Sequence, residues 1–229
     1  MDNVLIAILF VSLTIVTYTF AKKLYEKYPT PLFIPIIVTT AFIVILLLLF
    51  NIDYDTYMIG GEWINKFLGP AVVALAFPLY QHRAILKRLA LPIFSGTFIG
   101  AIMGVVSGGW MAKVVGFEEE LIYSIIPKSV TTPVAMDISN SLGGNASLAA
   151  VFVMIAGIAG AMFCQVVYKL FRLQSSVGRA VGLGSASHAI GTAKALENSE
   201  LEGSISTVAM ILSAIFVSII TPYLLILIM

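Results

Sequence analysis

The sequence predicts an all-α polytopic membrane helix bundle, and three observations predict it. Apolar residues make up 59% of the 229 and charged residues only 11%, against roughly 45–50% and 25% in a soluble domain. The mean hydropathy is +1.02. Long charge-free stretches alternate with short charged ones. Several of these stretches reach the roughly 20 apolar residues that cross a hydrocarbon core of about 30 Å. A water-soluble fold of this size keeps too much exposed surface to hide such a composition. The net charge of +1, from 13 basic and 12 acidic residues, leaves no electrostatic footprint for nucleic acid, so no nucleic-acid partner is expected. No cofactor or metal is expected either. Cys164 is the single cysteine, His82 and His188 are far apart in sequence, and no Cys/His cluster has metal-site spacing.

The elements follow in order. Residues 4–21 are apolar, preceded by Asp2 and followed by Lys22, Lys23 and Lys27. That is the reverse of a removable secretory signal, so the segment is expected to be a retained first span. Residues 30–50 contain the unbroken apolar block 42–50. Residues 64–81 form a shorter span interrupted by Pro70 and Pro78. Residues 89–113, 146–169 and 204–228 complete six spans of a single integral membrane domain over 1–229. Two further segments are amphiphilic and rich in Gly, Pro, Ser and Thr: 121–142, with Lys128 and Asp137, and 177–196, with Arg179, His188 and Lys194. They are expected to be broken or re-entrant.

Loop charges set an orientation. Lys22, Lys23 and Lys27 face the cytoplasm, Asp53, Asp55 and Glu62 lie outside, Arg83, Lys87 and Arg88 return inside, and Glu118, Glu119 and Glu120 lie outside. The next basic cluster, Lys169, Arg172 and Arg179, falls inside if 121–142 re-enters and outside if it crosses. The acidic group Glu197, Glu200 and Glu202 reads as a solvated loop. Residues 68–81 and 125–138 each carry two prolines and precede a glycine-patterned helix. Pro70 to Pro127 and Gly100 to Gly157 share one offset, which suggests an internal repeat of the kind found in transporters.

Lys128 is the most informative position. It lies about nine residues beyond the acidic loop, about 13 Å deep along a helix and near the bilayer midplane. A charge there faces a cavity, a partner or a substrate, or else snorkels to the surface. Pro127 and Pro133 break the helix around it and free backbone groups. Ser129, Thr131 and Thr132 add hydroxyls. A cation, free amides and hydroxyls suit a small carboxylate, and the plainer reading is a kink with Lys128 paired to Asp137. A second group, Ser185, Ser187 and His188, sits among Gly182, Gly184 and Gly191, where glycines allow close backbone approach. It reads either as the opposite wall of a substrate site or as a small-residue packing surface. No Ser/His/Asp order, paired intramembrane aspartates or HExxH is present, so an enzyme is disfavoured.

The runs LGPAVVALAFPLYQ (68–81), PKSVTTPVAMDIS (127–139) and GSASHAIGTAKALE (184–197) resemble the LrgB/CidB family of bacterial membrane proteins. SHAIGTAKALE followed by SISTVAMIL is most similar to the CidB branch, and the resemblance spans essentially the whole chain. It implies a multi-pass protein of the bacterial plasma membrane, made with a small LrgA/CidA-type membrane partner; a homo-oligomer is expected as well. It also implies either movement of a small monocarboxylate such as pyruvate or a holin/antiholin-like role in murein hydrolase activity, autolysis and programmed cell death. The expected partners are thus a small organic anion, the lipid bilayer and the LrgA/CidA-type protein. The substrate-binding assignment of Lys128, Ser129, Thr131, Thr132, Ser185, Ser187 and His188 comes from the residues themselves and not from the family.

Overall fold

A computed structural model describes residues 3–28, 30, 33–74 and 76–228. The described residues form twelve helices and no strand. They are α1 (Asn3–Lys27), α2 (Pro35–Leu49), α3 (Tyr54–Lys66), α4 (Leu68–Ala74), α5 (Ala76–Gln81), α6 (Arg83–Arg88), α7 (Ala90–Val115), α8 (Glu119–Ile125), α9 (Thr132–Leu142), α10 (Ala146–Leu170), α11 (Ser176–Asn198) and α12 (Glu200–Ile228). Four are long and apolar enough to cross a membrane: α1, α7, α10 and most of α12. They coincide with the expected segments 4–21, 89–113, 146–169 and 204–228. The segment 30–50 holds the 15-residue α2, and residues 31 and 32 lie outside the described ones. The segment 64–81 is divided among the end of α3, α4 and α5, with residue 75 outside the described ones.

The chain divides into two compact units, 1–76 and 77–229. In the first, α1 packs on α2 and α3. The Phe10 and Tyr57 rings meet edge to face at 5.5 Å, and the Thr14 and Tyr57 hydroxyls share a hydrogen bond at 3.1 Å. The fit leaves no room for a side chain at 60, since a Cβ on Gly60 would stand 2.8 Å from that of Phe10.

The second unit turns large apolar side chains outward, among them Leu91, Met103, Val114, Val151, Ile155, Phe163 and Ile219. Its interior mixes apolar side chains such as Ile126, Val130, Val153 and Val217 with small and hydroxylated ones, including Thr97, Ser124, Ser139, Ser187, Ser204, Ser206, Thr207, Ser213 and Thr221. In lipid, apolar burial gives no drive for helices to associate, so close packing of small residues and interhelical hydrogen bonds take its place. Glycines in the left-handed conformation, Gly116 and Gly143, end α7 and α9 with φ of 86°. Asn145 caps α10, its side chain accepting from the amides of Ser147 and Leu148.

The two amphiphilic segments both fold back on themselves. Twenty-five residues of straight helix would hold Glu120 and Asn145 about 37 Å apart. Instead Asn145 Nδ2 donates to Glu120 Oε1 at 3.4 Å, and the Asn145 amide donates to Ser124 Oγ at 2.8 Å. Hence α8 and α9 are the arms of a helical hairpin whose tip is the irregular stretch 126–131. In α11 the helix breaks at His188, with φ 42° and ψ −132°. Beyond the break Gly191 lies directly against the Leu183 backbone, where a straight helix would separate the two by about 12 Å. Leu183 and Ala195 join one cluster with Cys164. Arg179 near the start of α11 and Asn198 at its end bind the same carboxylate, Glu202. This too is a hairpin, with arms 176–187 and 189–198. Twice, then, a broken hairpin precedes a long helix packed against it: α8–α9 before α10, and α11 before α12.

Candidate functional site

One face of α7 organises the site. Gly96, Gly100, Gly104 and Gly108 recur every four residues and form a column without side chains. Ideal Cβ atoms built on them would meet, in order, Val181 at 3.2 Å, Ser185 Oγ at 3.1 Å, Ser129 Oγ at 3.4 Å and Lys128 Nζ at 2.6 Å. The first arm of the α11 hairpin therefore climbs one half of the column and ends at Ser185. The tip of the α8–α9 hairpin occupies the other half with Ser129 and Lys128. Gly100 and Gly104 are separated by a rise of about 6 Å, so the two tips approach within about one helical turn along α7.

The Lys128 ammonium donates to the Gly104 carbonyl at 3.0 Å. Gly104 lies near the middle of α7, so the side chain reaches across into the bundle and does not run along its own hairpin to an end. Among the described residues no carboxylate lies within ion-pairing distance of it, and Asp137 is exposed. A hydrogen bond from a charged donor is worth roughly 1.5–3 kcal/mol. Withdrawing the charge from water costs at least as much, several kcal/mol for a fully buried ion. One carbonyl leaves the half-buried ammonium with capacity for an anionic partner.

The local sequence explains why the tip is irregular. Pro127 and Pro133 cannot donate to a helical ladder. Only two turn-type bonds hold the stretch, from the Lys128 amide to Ile125 and from the Val130 amide to Pro127. Thr131 is the N-cap residue of α9, yet its hydroxyl makes no capping bond, and Thr132 begins the helix; both are half-buried. On the other hairpin, Ser185 Oγ donates to Val181 O at 2.7 Å, while its carbonyl accepts from Ser213 Oγ on α12 at 3.3 Å.

Ser187 and His188 face a different wall. Gly160 lies directly against Ser187 and Gly157 against the His188 ring, both on α10. His188 Nε2 donates to the Val153 carbonyl at 3.0 Å. Thus α7 gathers Lys128, Ser129 and Ser185, whereas Ser187 and His188 are held by α10. Beside the column a groove of about 640 Å³ runs from Ser175 and Gly178, at the open end of the α11 hairpin, to Gly100 and Ser185 at its tip.

Sequence reasoning missed two contributions. The Gly104 carbonyl as the lysine's partner is a tertiary fact with no local signal, although the four-residue glycine spacing that permits it is visible. Glu202, read as solvated, is buried and paired with Arg179 at 2.6 Å. The fold-back at His188 brings the two together.

The LrgB-like family model matches residues 14–227. The chain is 47% identical to "Uncharacterized protein YxaC" of Bacillus subtilis (strain 168), over 97% of this chain and 96% of the relative. It is 39% identical to "Uncharacterized protein YwbG" of the same organism, over 96% and 98%. It is 36% identical to "Holin-like protein CidB" of Staphylococcus aureus (strain Mu50 / ATCC 700699), over 99% of each chain. No solved structure matches.

Proposed function

We propose that this chain, which belongs to the LrgB-like family, carries a small monocarboxylate of the pyruvate type across the membrane without transforming it. It is a multi-pass protein of the plasma membrane. The observation that supports transport is the meeting of two hairpin tips on the α7 glycine column, with an ammonium at the end of that column for which, among the described residues, no carboxylate lies within ion-pairing distance. The substrate carboxylate meets Lys128, with the hydroxyl of Ser129 next along the column, that of Ser185 about one turn further, and those of Thr131 and Thr132 at the start of α9. Ser187 and His188 fix the second tip against α10.

The α9 arm and both arms of α11 are about 15–18 Å long, half the hydrocarbon thickness, and α8 is shorter at about 10 Å, with the irregular tip beyond it. In our reading both hairpins re-enter, α8–α9 from outside and α11 from the cytoplasm, and both tips stop at the midplane. Irregular backbone at that depth requires burial in protein or a watery cavity. Lys169 and Arg172 then lie inside, as the charge rule asks. The two entrances face opposite compartments, which is the geometry alternating access needs.

The printed name of the Staphylococcus aureus relative, holin-like, favours a second reading. In it the chain is a pore component or regulator of murein hydrolase activity, assembled as a homo-oligomer with a small LrgA/CidA-type membrane protein. Proteoliposomes holding the purified chain, with and without that partner, separate the two. Saturable uptake of labelled pyruvate that Lys128→Ala abolishes supports the carrier. Non-selective dye leakage without saturable uptake rejects it in favour of the pore.

A further inference from the structure

The open end of the α11 hairpin carries a polar cluster that the proposed site does not use. Arg179 Nη2, in the first arm, donates to Glu202 Oε1 at 2.6 Å. Asn198 Nδ2, ending the second arm, donates to Glu202 Oε2 at 3.0 Å. The Glu202 side chain is only 4% exposed, and its amide is held by Ser199 Oγ at 3.1 Å. The Arg179 guanidinium stands 5.9 Å from the Tyr168 ring centroid, and the Tyr168 hydroxyl donates to the Arg179 carbonyl at 3.4 Å. One carboxylate on α12 thus ties both arms of the hairpin, with α10 alongside. A polar pocket of about 360 Å³ opens next to it, lined by Gln165, Tyr168, Arg179, Asn198, Ser199 and Glu202.

An ion pair with its carboxylate buried and its guanidinium only partly so is a poor choice for glue alone. Its desolvation offsets most of the attraction, and apolar side chains of similar volume hold elements together as well or better. It suits a contact that must be specific when closed and soluble when open. The adjoining pocket supplies the water that each group needs once separated. The open end of the other hairpin is built differently: the contact between Asn145 Nδ2 and Glu120 is an exposed amide–carboxylate bond at 3.4 Å.

We propose that Arg179 and Glu202 form a latch on the α11 hairpin. Closed, the latch pins the first arm, which forms one wall of the groove leading to Ser185. Released, the arm swings from α12 and opens Ser185 to water from that end. The latch rests on the transport reading only in taking this hairpin as a moving part.

The test reads water access and not uptake. Ser185→Cys is made in a Cys164→Ala background, in the full chain in membrane vesicles, and labelled with a soluble maleimide. Glu202→Gln and Arg179→Gln raise the labelling rate about tenfold or more, as expected when a contact governing local opening is lost. Arg179→Lys gives a smaller rise. The swapped pair Arg179→Glu with Glu202→Arg returns the rate toward the parent. Unchanged labelling in both Gln variants overturns the latch. If neither accumulates as folded protein, Arg179→Lys, which keeps the charge and loses the fork geometry of the contact, is measured, and an unchanged rate there overturns it equally. Uptake is read separately in chain that keeps Ser185. Unchanged labelling with saturable uptake there removes the latch alone, and faster labelling with no pyruvate uptake there keeps the latch and removes the transport reading.

Discussion

Lys128 and Ser185 stand over the same glycine column of α7, opposite Gly108 and Gly100 respectively, two helical turns apart. They come from hairpins that open at different ends of the chain's second unit, and the glycine face of α7 receives both. The bare backbone between them is what lets both side chains approach one line.

The first prediction concerns the charge. Lys128→Ala should lower labelled pyruvate uptake by about tenfold or more, since a charged hydrogen bond worth roughly 1.5–3 kcal/mol is lost. Lys128→Arg should keep part of the activity, because the charge survives while the broader guanidinium crowds Gly108. Initial-rate measurements in proteoliposomes decide it, and equal uptake in Lys128→Ala and the parent would falsify the carboxylate role.

The second concerns the glycine that faces the ammonium. Gly108→Ala puts a methyl group 2.6 Å from Lys128 Nζ, so the ammonium must shift from its Gly104 bond. The half-saturating pyruvate concentration should rise severalfold while the folded yield stays near that of the parent. Gly69→Ala, where a Cβ meets nothing within 4 Å, serves as the control. Matching kinetics for the two variants would contradict the geometry.

A third prediction separates backbone strain from side-chain bonding at the α11 break. A non-glycine residue in a sparsely populated conformation costs about 1–3 kcal/mol, and His188 sits at φ 42°. His188→Ala keeps that cost and loses the bond to Val153, whereas His188→Gly loses the bond and removes the strain. The glycine variant should melt at the higher temperature in detergent. The reverse order would show that the break is not strained.

The fourth fixes the path of the chain. In a Cys164→Ala background, a cysteine at Ser141 should react with an impermeant reagent added outside, and one at Arg172 only with reagent admitted to the cytoplasmic side. If α8–α9 crossed the bilayer, the two positions would exchange.

Helix positions were legible because long apolar runs and their charged borders are local properties, and α1, α7, α10 and α12 fall where the charge-free stretches do. The breaks were legible from chemistry at Pro127, Pro133 and the glycines around His188. That the broken segments return on themselves was not. A hairpin and a kinked span share one local pattern, and the difference lies in tertiary contacts such as Asn145 to Ser124 and Arg179 to Glu202. For the same reason Ser187 and Ser185, two residues apart, read as one group but serve different walls. Glu202 was misread because an acid in a charged run between apolar helices ordinarily meets water, and only the fold-back sets Arg179 beside it.

The hairpins also constrain how the protein is made. Arms of this length, tipped with a lysine, hydroxyls and unpaired backbone groups, are not stable in hydrocarbon alone. They need the walls of α7, α10 and α12 before they can leave the water. If both hairpins re-enter as proposed, biogenesis runs in two acts, the full-length helices partitioning first and the short arms tucking in afterwards, so a lesion in the glycine column would strand a translated chain as a half-assembled precursor exposed to membrane proteases.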